Sequence, residues 1–209
     1  MPRHADPFER RRRVAGALLR VVAAEGLEAA SLPRVARELN ASTGLVQAYF
    51  RSKDELLLFA AGHLGELMRA RVAAALHGTT SADIRERLLR AMSVVAGAHD
   101  DGSAEGRVWL AFLARAPFHP ALRDMHVAGA EEIREHCLRA FEAARRLGQV
   151  PGDTDPQTQA LALAAFADGL ALQRAVEPEK FTDARVRELL RDHLDRIFAA
   201  GDGRTEGPP

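Results

Sequence analysis

Cysteine is almost absent: the 209-residue chain has one, Cys137. No internal disulfide can form, and such usage fits a reducing compartment. Aromatic residues are only 5% of the chain, while Ala, Leu and Arg dominate, which favours helix over sheet. No apolar run reaches the ~18 residues that a membrane-spanning helix needs. The opening M-P-R-H-A-D-P-F-E-R-R-R-R lacks the apolar core of a secretion signal. The expectation is a cytoplasmic protein with no membrane partner. Net charge is also absent, at zero, but its distribution is uneven. Residues 1–53 hold ten Arg or Lys against five Asp or Glu, and the remainder nineteen against twenty-four. A basic N-terminal quarter on an acidic remainder suits a chain with one nucleic-acid-facing end.

Catalytic signatures are missing too. There is no Gly-rich phosphate loop and no G-x-S-x-G elbow. A helical bundle holding two metals would need Glu-x-x-His pairs, and none of the eight histidines has a Glu three residues before it. Glu132 and His136 share a helical face without further partners. The expectation is no enzyme, no cofactor and no metal site. A helical-bundle enzyme, or a protein-interaction module whose helical corner never meets DNA, stays open as an alternative.

What is present is organised around Ser31 to Lys53, S-L-P-R-V-A-R-E-L-N-A-S-T-G-L-V-Q-A-Y-F-R-S-K. Leu32, Val35, Ala36 and Leu39 recur at helical spacing, with Arg34, Arg37 and Glu38 on the other side. Ser31 can cap this helix, and Pro33 is tolerated because the first turn does not use its N–H. Asn40 stands where the chain needs left-handed geometry. Ser42 restarts it as a new cap, with Leu45, Val46, Tyr49 and Phe50 as apolar contacts. Ser52 and Glu55 have capping-box spacing and open a third helix. Two short helices so closely joined form a helix-turn-helix, whose second helix is presented to a DNA major groove.

Around it the pattern is helical throughout. Phe8 to Ala24 reads as an amphipathic helix ending at Gly26, with Phe8, Val14, Leu18, Val21 and Val22 on its apolar face. Arg3 and Arg10 to Arg13 stand where an N-terminal arm or first turn can touch phosphate. Lys53 to about Leu76 reads as a long helix linking two domains. Further helices are expected from Ala82 to Ala98 behind Ser81, from Ala104 to Ala116, from Ala121 to Leu147, from Pro156 to Val176, and after Thr182. The fold class is all-α, with about nine helices. A three-helix DNA-binding domain (1–53) precedes a larger helical domain (54–200). The tail 201–209 can bury nothing and is expected to be disordered.

With these elements placed, Val14 to Ala60 resembles the N-terminal domain of the TetR family of transcriptional regulators. The resemblance rests on L-P-R-V-A-R-E-L, on A-S-T-G-L-V-Q-A-Y-F, and on R-S-K-D-E-L-L that follows. The segment R-V-W-L-A-F-L-A-R-A, with Trp109, is similar to the BetI-type subgroup. The resemblance implies a homodimer on a palindromic double-stranded DNA operator, released by a small-molecule effector, and most often a repressor. It implies phosphate contacts by Tyr49 and Lys53. Many members carry Tyr where this chain has Gln47, whose amide can bond adenine N6 and N7 together. Gly44 allows close backbone approach, Ser42 and Thr43 can bond phosphate at a helix start, and Arg34 or Arg37 can reach the backbone.

In the second domain, Pro156 to Val176 is rich in Ala and Gly, and such small residues permit close helix contact. The resemblance implies that 54–200 is a ligand-binding and dimerisation domain, in which this helix and the final one (about 183–199) form half of an intermolecular four-helix bundle. Trp109, Phe112, Met92, Phe118, Met125, His126, Cys137 and Phe141 are the large or soft groups available to line an effector pocket. Gln173 and His99 are its candidate polar anchors.

Overall fold

The structure is a computed structural model that describes residues 6–80, 83–100 and 102–199. Among these, the chain forms nine α-helices and one short 3-10 turn, with no strand. They are α1 (Pro7–Glu25), α2 (Leu32–Glu38), α3 (Thr43–Gln47), α4 (Lys53–Leu76), α5 (Ile84–Val95), α6 (Gly102–Arg115), α7 (Pro120–Arg146), α8 (Pro156–Val176) and α9 (Asp183–Ala199). The 3-10 turn, Ala116–Phe118, joins α6 to α7. Among the described residues, no helix is long and apolar enough to cross a membrane.

Local chemistry sets these boundaries. The Asp6 carboxylate accepts from the Phe8 N–H at 3.0 Å, and Pro7 occupies the first turn of α1, where its missing N–H costs nothing. Asp155 holds the N–H groups of Gln157 and Thr158, each at 3.2 Å, behind Pro156 in α8. Helix α7 ends where Gly148 takes a φ of 68°, and the Gln149 N–H turns back to the Ala144 carbonyl at 2.9 Å. Helix α5 starts later than the sequence pattern suggested. Asp83, not Ser81, is its cap, accepting from the Glu86 N–H at 3.2 Å; Ser81 and Ala82 lie outside the described residues. So do Arg3 and the 201–209 tail.

The chain forms two compact units. The first takes Met1–Leu67 and Ala104–Val127, so it extends past the helix-turn-helix and draws on a distant segment. Its core joins Val14, Leu18 and Val21 of α1, Val35 of α2, Val46 and Phe50, Leu56 and Leu57 of α4, and Val108 and Phe112 of α6. Polar ties reinforce the distant segment. Arg107 donates to the Ala23 carbonyl at 3.0 Å, and Asp54 faces Arg115 at 3.7 Å and His119 at 4.0 Å. Phe8 departs from its expected inward place and is exposed; its ring lies under the Arg12 guanidinium, edge-on to Phe59.

The second unit takes Met68–Ser103 and Ala128–Pro209. Its core gathers Leu88 and Met92 of α5, Cys137 and Phe141 of α7, Leu163 and Ala167 of α8, and Val186, Leu190 and Leu194 of α9. The buried Arg174 guanidinium closes one end, donating to the Phe181 carbonyl at 2.7 Å and pairing with Asp183.

Candidate nucleic-acid interface

Two caps and one left-handed residue shape the helix-turn-helix. Ser31 Oγ accepts from the Arg34 N–H at 3.3 Å and starts α2. Asn40 takes a φ of 53°, a left-handed conformation that Asn tolerates better than most residues. Ser42 Oγ then accepts from the Leu45 N–H at 3.2 Å and starts α3. Val46 and Phe50 are fully buried and anchor α3 to the core. The Phe50 ring stands edge-on to Phe59 at 5.4 Å, and the Arg11 guanidinium lies 4.5 Å above Phe50. The other side of α3 faces solvent: Gly44, Leu45, Gln47 and Ala48 are exposed, and Thr43 is half-buried. Leu45, expected as an apolar contact, is therefore outside the core.

The charged groups around α3 are unequal in availability. Arg34 Nε donates to Glu25 at 3.0 Å, and its Nη1 to Glu38 at 3.2 Å. The Arg34 contact holds Glu25 below the usual carboxylate range, and Glu38 is held down first by Arg20 and then by Arg34. Arg37, one turn on, is exposed. Lys53 Nζ donates to the Leu27 carbonyl at 3.1 Å, tying the start of α4 to the loop after α1. The Tyr49 ring packs half-buried against the core while its hydroxyl accepts from Arg10 Nη1 at 3.0 Å.

Beside these groups, Arg11, Gln47, Ala48, Tyr49, Arg51 and Glu55 line an open hollow of about 390 Å³. Glu55 accepts from the Arg51 N–H at 2.8 Å and from Arg11 at 3.0 Å, and the first of these contacts does most to lower its pKa. This is a capping arrangement displaced by one residue, because the box spacing would have aimed Glu55 at the Ser52 N–H. The Arg10–Tyr49 bond was not readable from sequence. Its partners are 39 residues apart and share no motif.

Comparison with known proteins places this arrangement. Residues 84–199 match the C-terminal part of BetI-type transcriptional repressors, and residues 16–59 match the bacterial regulatory proteins of the tetR family. The chain belongs to the TetR family. Among curated TetR-type relatives, the BetI transcriptional regulator of Burkholderia thailandensis is 31% identical over 95% of this chain and 98% of its own. The PksA transcriptional regulator of Bacillus subtilis is 27% identical over 99% of this chain and 98% of its own. A transcriptional regulator from Rhodococcus sp. Rha1 superimposes with a TM-score of 0.78 at 30% identity, covering 93% of this chain and 97% of that one. A regulator structure from Saccharomonospora viridis, in complex with choline, gives 0.81 at 26% identity, covering 90% and 96%. The chain is thus a helix-turn-helix transcriptional regulator of the TetR family.

The residues expected to line an effector pocket are divided between the two units. In the first, Trp109 is half-buried with its ring 6.3 Å from His126, Phe112 is buried in the core, and Met125 reaches toward Gly62 of α4. Phe118, on the 3-10 turn, is 88% exposed. In the second unit, Met92, Cys137 and Phe141 are buried together, with the Cys137 thiol 3.8 Å from the Met92 sulfur. Burial pushes that thiol up to about 11. Gln173 is exposed on α8, and the His99 backbone forms the turn that joins α5 to α6.

Proposed function

We propose that this TetR-family regulator binds a palindromic operator as a homodimer, represses transcription there, and leaves the DNA when a small-molecule effector binds. The single observation that carries the DNA-reading part is the two-sidedness of α3. Val46 and Phe50 fix it to the core, while Gly44, Leu45, Gln47 and Ala48 face outward without internal use. Thr43 and Ser42 meet phosphate at the start of α3, Gln47 reads a base edge, and the Arg10-braced hydroxyl of Tyr49 meets phosphate at the other end. Lys53 contributes from the start of α4. Arg34 is already occupied by two carboxylates, so Arg37 is the better-placed cation on α2.

The helices that end before Lys53 carry DNA binding in this reading, and 54–200 carry effector binding and pairing. Dimerisation uses α8 and α9, and the exposed uncharged stripe on α8 is the observation that supports it. Effector release follows if the ligand binds more tightly to a dimer whose two recognition helices no longer match half-sites about one DNA turn (~34 Å) apart. Helix α4 runs unbroken from the helix-turn-helix into the second unit, which makes it the element to carry that change. The regulator structure in complex with choline supports a small organic cation as the effector class to test first. Trp109 offers the aromatic face that such a cation uses, with the His126 ring 6.3 Å away and Phe112 and Met125 in the same unit.

The test is fluorescence anisotropy of the full chain on duplexes selected from a random pool, at two salt concentrations, with unselected duplex as control. Selected duplex bound preferentially, with affinity falling steeply as salt rises, is the expected result. Titration of choline into the complex should lower the anisotropy. Equal affinity for selected and unselected duplex would overturn the DNA-reading assignment, and indifference to choline would overturn the effector class alone.

A further inference from the structure

The outward side of α3 has a finer pattern that points to a second base-reading residue. Backbone geometry fixes the arrangement: the Ala48 N–H donates to the Gly44 carbonyl and the Phe50 N–H to the Val46 carbonyl, both at 3.0 Å. The helical turn therefore continues through Phe50. Val46 and Phe50 are fully buried and mark the inward side. At about 100° per residue, Gly44 and Ala48 then lie diametrically outward, and Leu45 and Gln47 lie on opposite flanks. The outermost ridge is thus nearly bare of side chain, which lets the helix backbone approach a groove floor. The two flanks carry the only long side chains available to reach sideways.

Leu45 is unusual in that position. It is 44% exposed, and among the described residues between Gly26 and Arg115 no other large apolar side chain is exposed. A lone surface leucine is ordinary in general. Here it stands on the flank opposite the candidate adenine reader. We infer that Leu45 reads sequence by apolar contact with the C5-methyl group of a thymine in the major groove, while Gln47 reads the other side by hydrogen bonds. This rests on the DNA-binding reading above. Thymine is the base that presents a methyl group there, so an aliphatic side chain without donors or acceptors can discriminate it. Placing a donor or acceptor at Leu45 would add nothing to that contact.

The experiment uses duplexes selected by the full chain from a random pool, with each thymine replaced in turn by deoxyuridine, which removes only the methyl. Wild type should lose about fourfold in affinity at one thymine per half-site, the value of one buried methyl-sized group. The Leu45→Ala variant, altered at an exposed position, should bind less tightly and be indifferent to that replacement. It should keep its response to changes at the bases that a Gln47→Ala variant ceases to discriminate. If wild type tolerates every deoxyuridine, or if Leu45→Ala loses as much from the replacement as wild type does, the inference falls alone. If no duplex is selected at all, it falls together with the DNA-binding reading.

Discussion

Gly102 occupies a position that no side chain can share. A Cβ there would run into the carbonyl oxygen of Gly97, which itself holds a φ of 74°. The two glycines close the turn between α5 and α6, where the Gly102 N–H donates to the His99 carbonyl at 2.8 Å. The obstacle is backbone, so it cannot swing aside as the end of a flexible side chain would. Gly102→Ala should therefore destabilise the protein by about 1–3 kcal/mol in urea unfolding, the range for forced overpacking. Gly129 is the matched comparison, since it lies within α7 and nothing stands within 4 Å of its would-be Cβ. Gly129→Ala should be neutral or stabilising by up to about 1 kcal/mol, through helix propensity alone. Equal effects of the two substitutions would refute the close-approach argument.

At the level of elements, what could be read in advance was whatever local chemistry decides. Helix α4 begins at Lys53 behind Ser52, and α8 runs from Pro156 to Val176 behind Asp155, because caps, first-turn prolines and apolar spacing all act within a few residues. Helix α5 instead starts at Ile84, where the Asp83 carboxylate accepts from the Glu86 N–H at 3.2 Å. The membership of α6 in the first unit was invisible in advance. Its apolar face shows that something covers Val108 and Phe112, not that α1 and α4 do. Leu45 shows the same limit within the candidate site, since spacing alone could not decide which flank of a five-residue helix faces out.

The ion-pair cluster on α1 and α2 is another long-range feature, and it carries a pH signature. Arg34 lowers the pKa of Glu25, and Arg20 and Arg34 together lower that of Glu38. Carboxylates depressed in the folded state contribute stability above their unfolded pKa of ~4.3, and that stability is lost as pH falls through the lower folded value. Both carboxylates and both arginines are solvent-accessible, so the effect shows in the slope rather than in a large shift. Thermal melts by circular dichroism from pH 7 to pH 3 should stay level to about pH 5 and then fall. In Arg34→Met the fall below pH 5 should be shallower, since Glu25 then titrates at similar values in both states. Superimposable acid limbs would remove Arg34 from this role.

For the whole molecule, the deciding feature is the side of α8 that its own unit leaves uncovered. Leu161, Ala165, Gly169, Leu172 and Val176 are all exposed, and their spacing of three to four residues puts them on one stripe about 22 Å long. Val176 is 66% exposed, although the adjacent Leu163, Ala167 and Leu170 are buried. Small residues at the middle of the stripe let a second helix approach closely, with the leucines filling the gaps on either side. A two-fold axis satisfies that surface most simply, because each stripe can cover its own copy. The stripe carries no charge, so acids introduced on it are buried across the contact without partners. Leu172→Glu combined with Leu161→Glu should therefore give a monomer in sedimentation, with helical circular dichroism unchanged because both positions are exposed. Operator affinity should fall by on the order of a hundredfold, since one copy can no longer hold the second half-site within reach of its partner. A double variant that still sediments as a dimer would move the interface off α8. A monomeric one that keeps full affinity would show that pairing is not what gives this DNA-binding unit its grip.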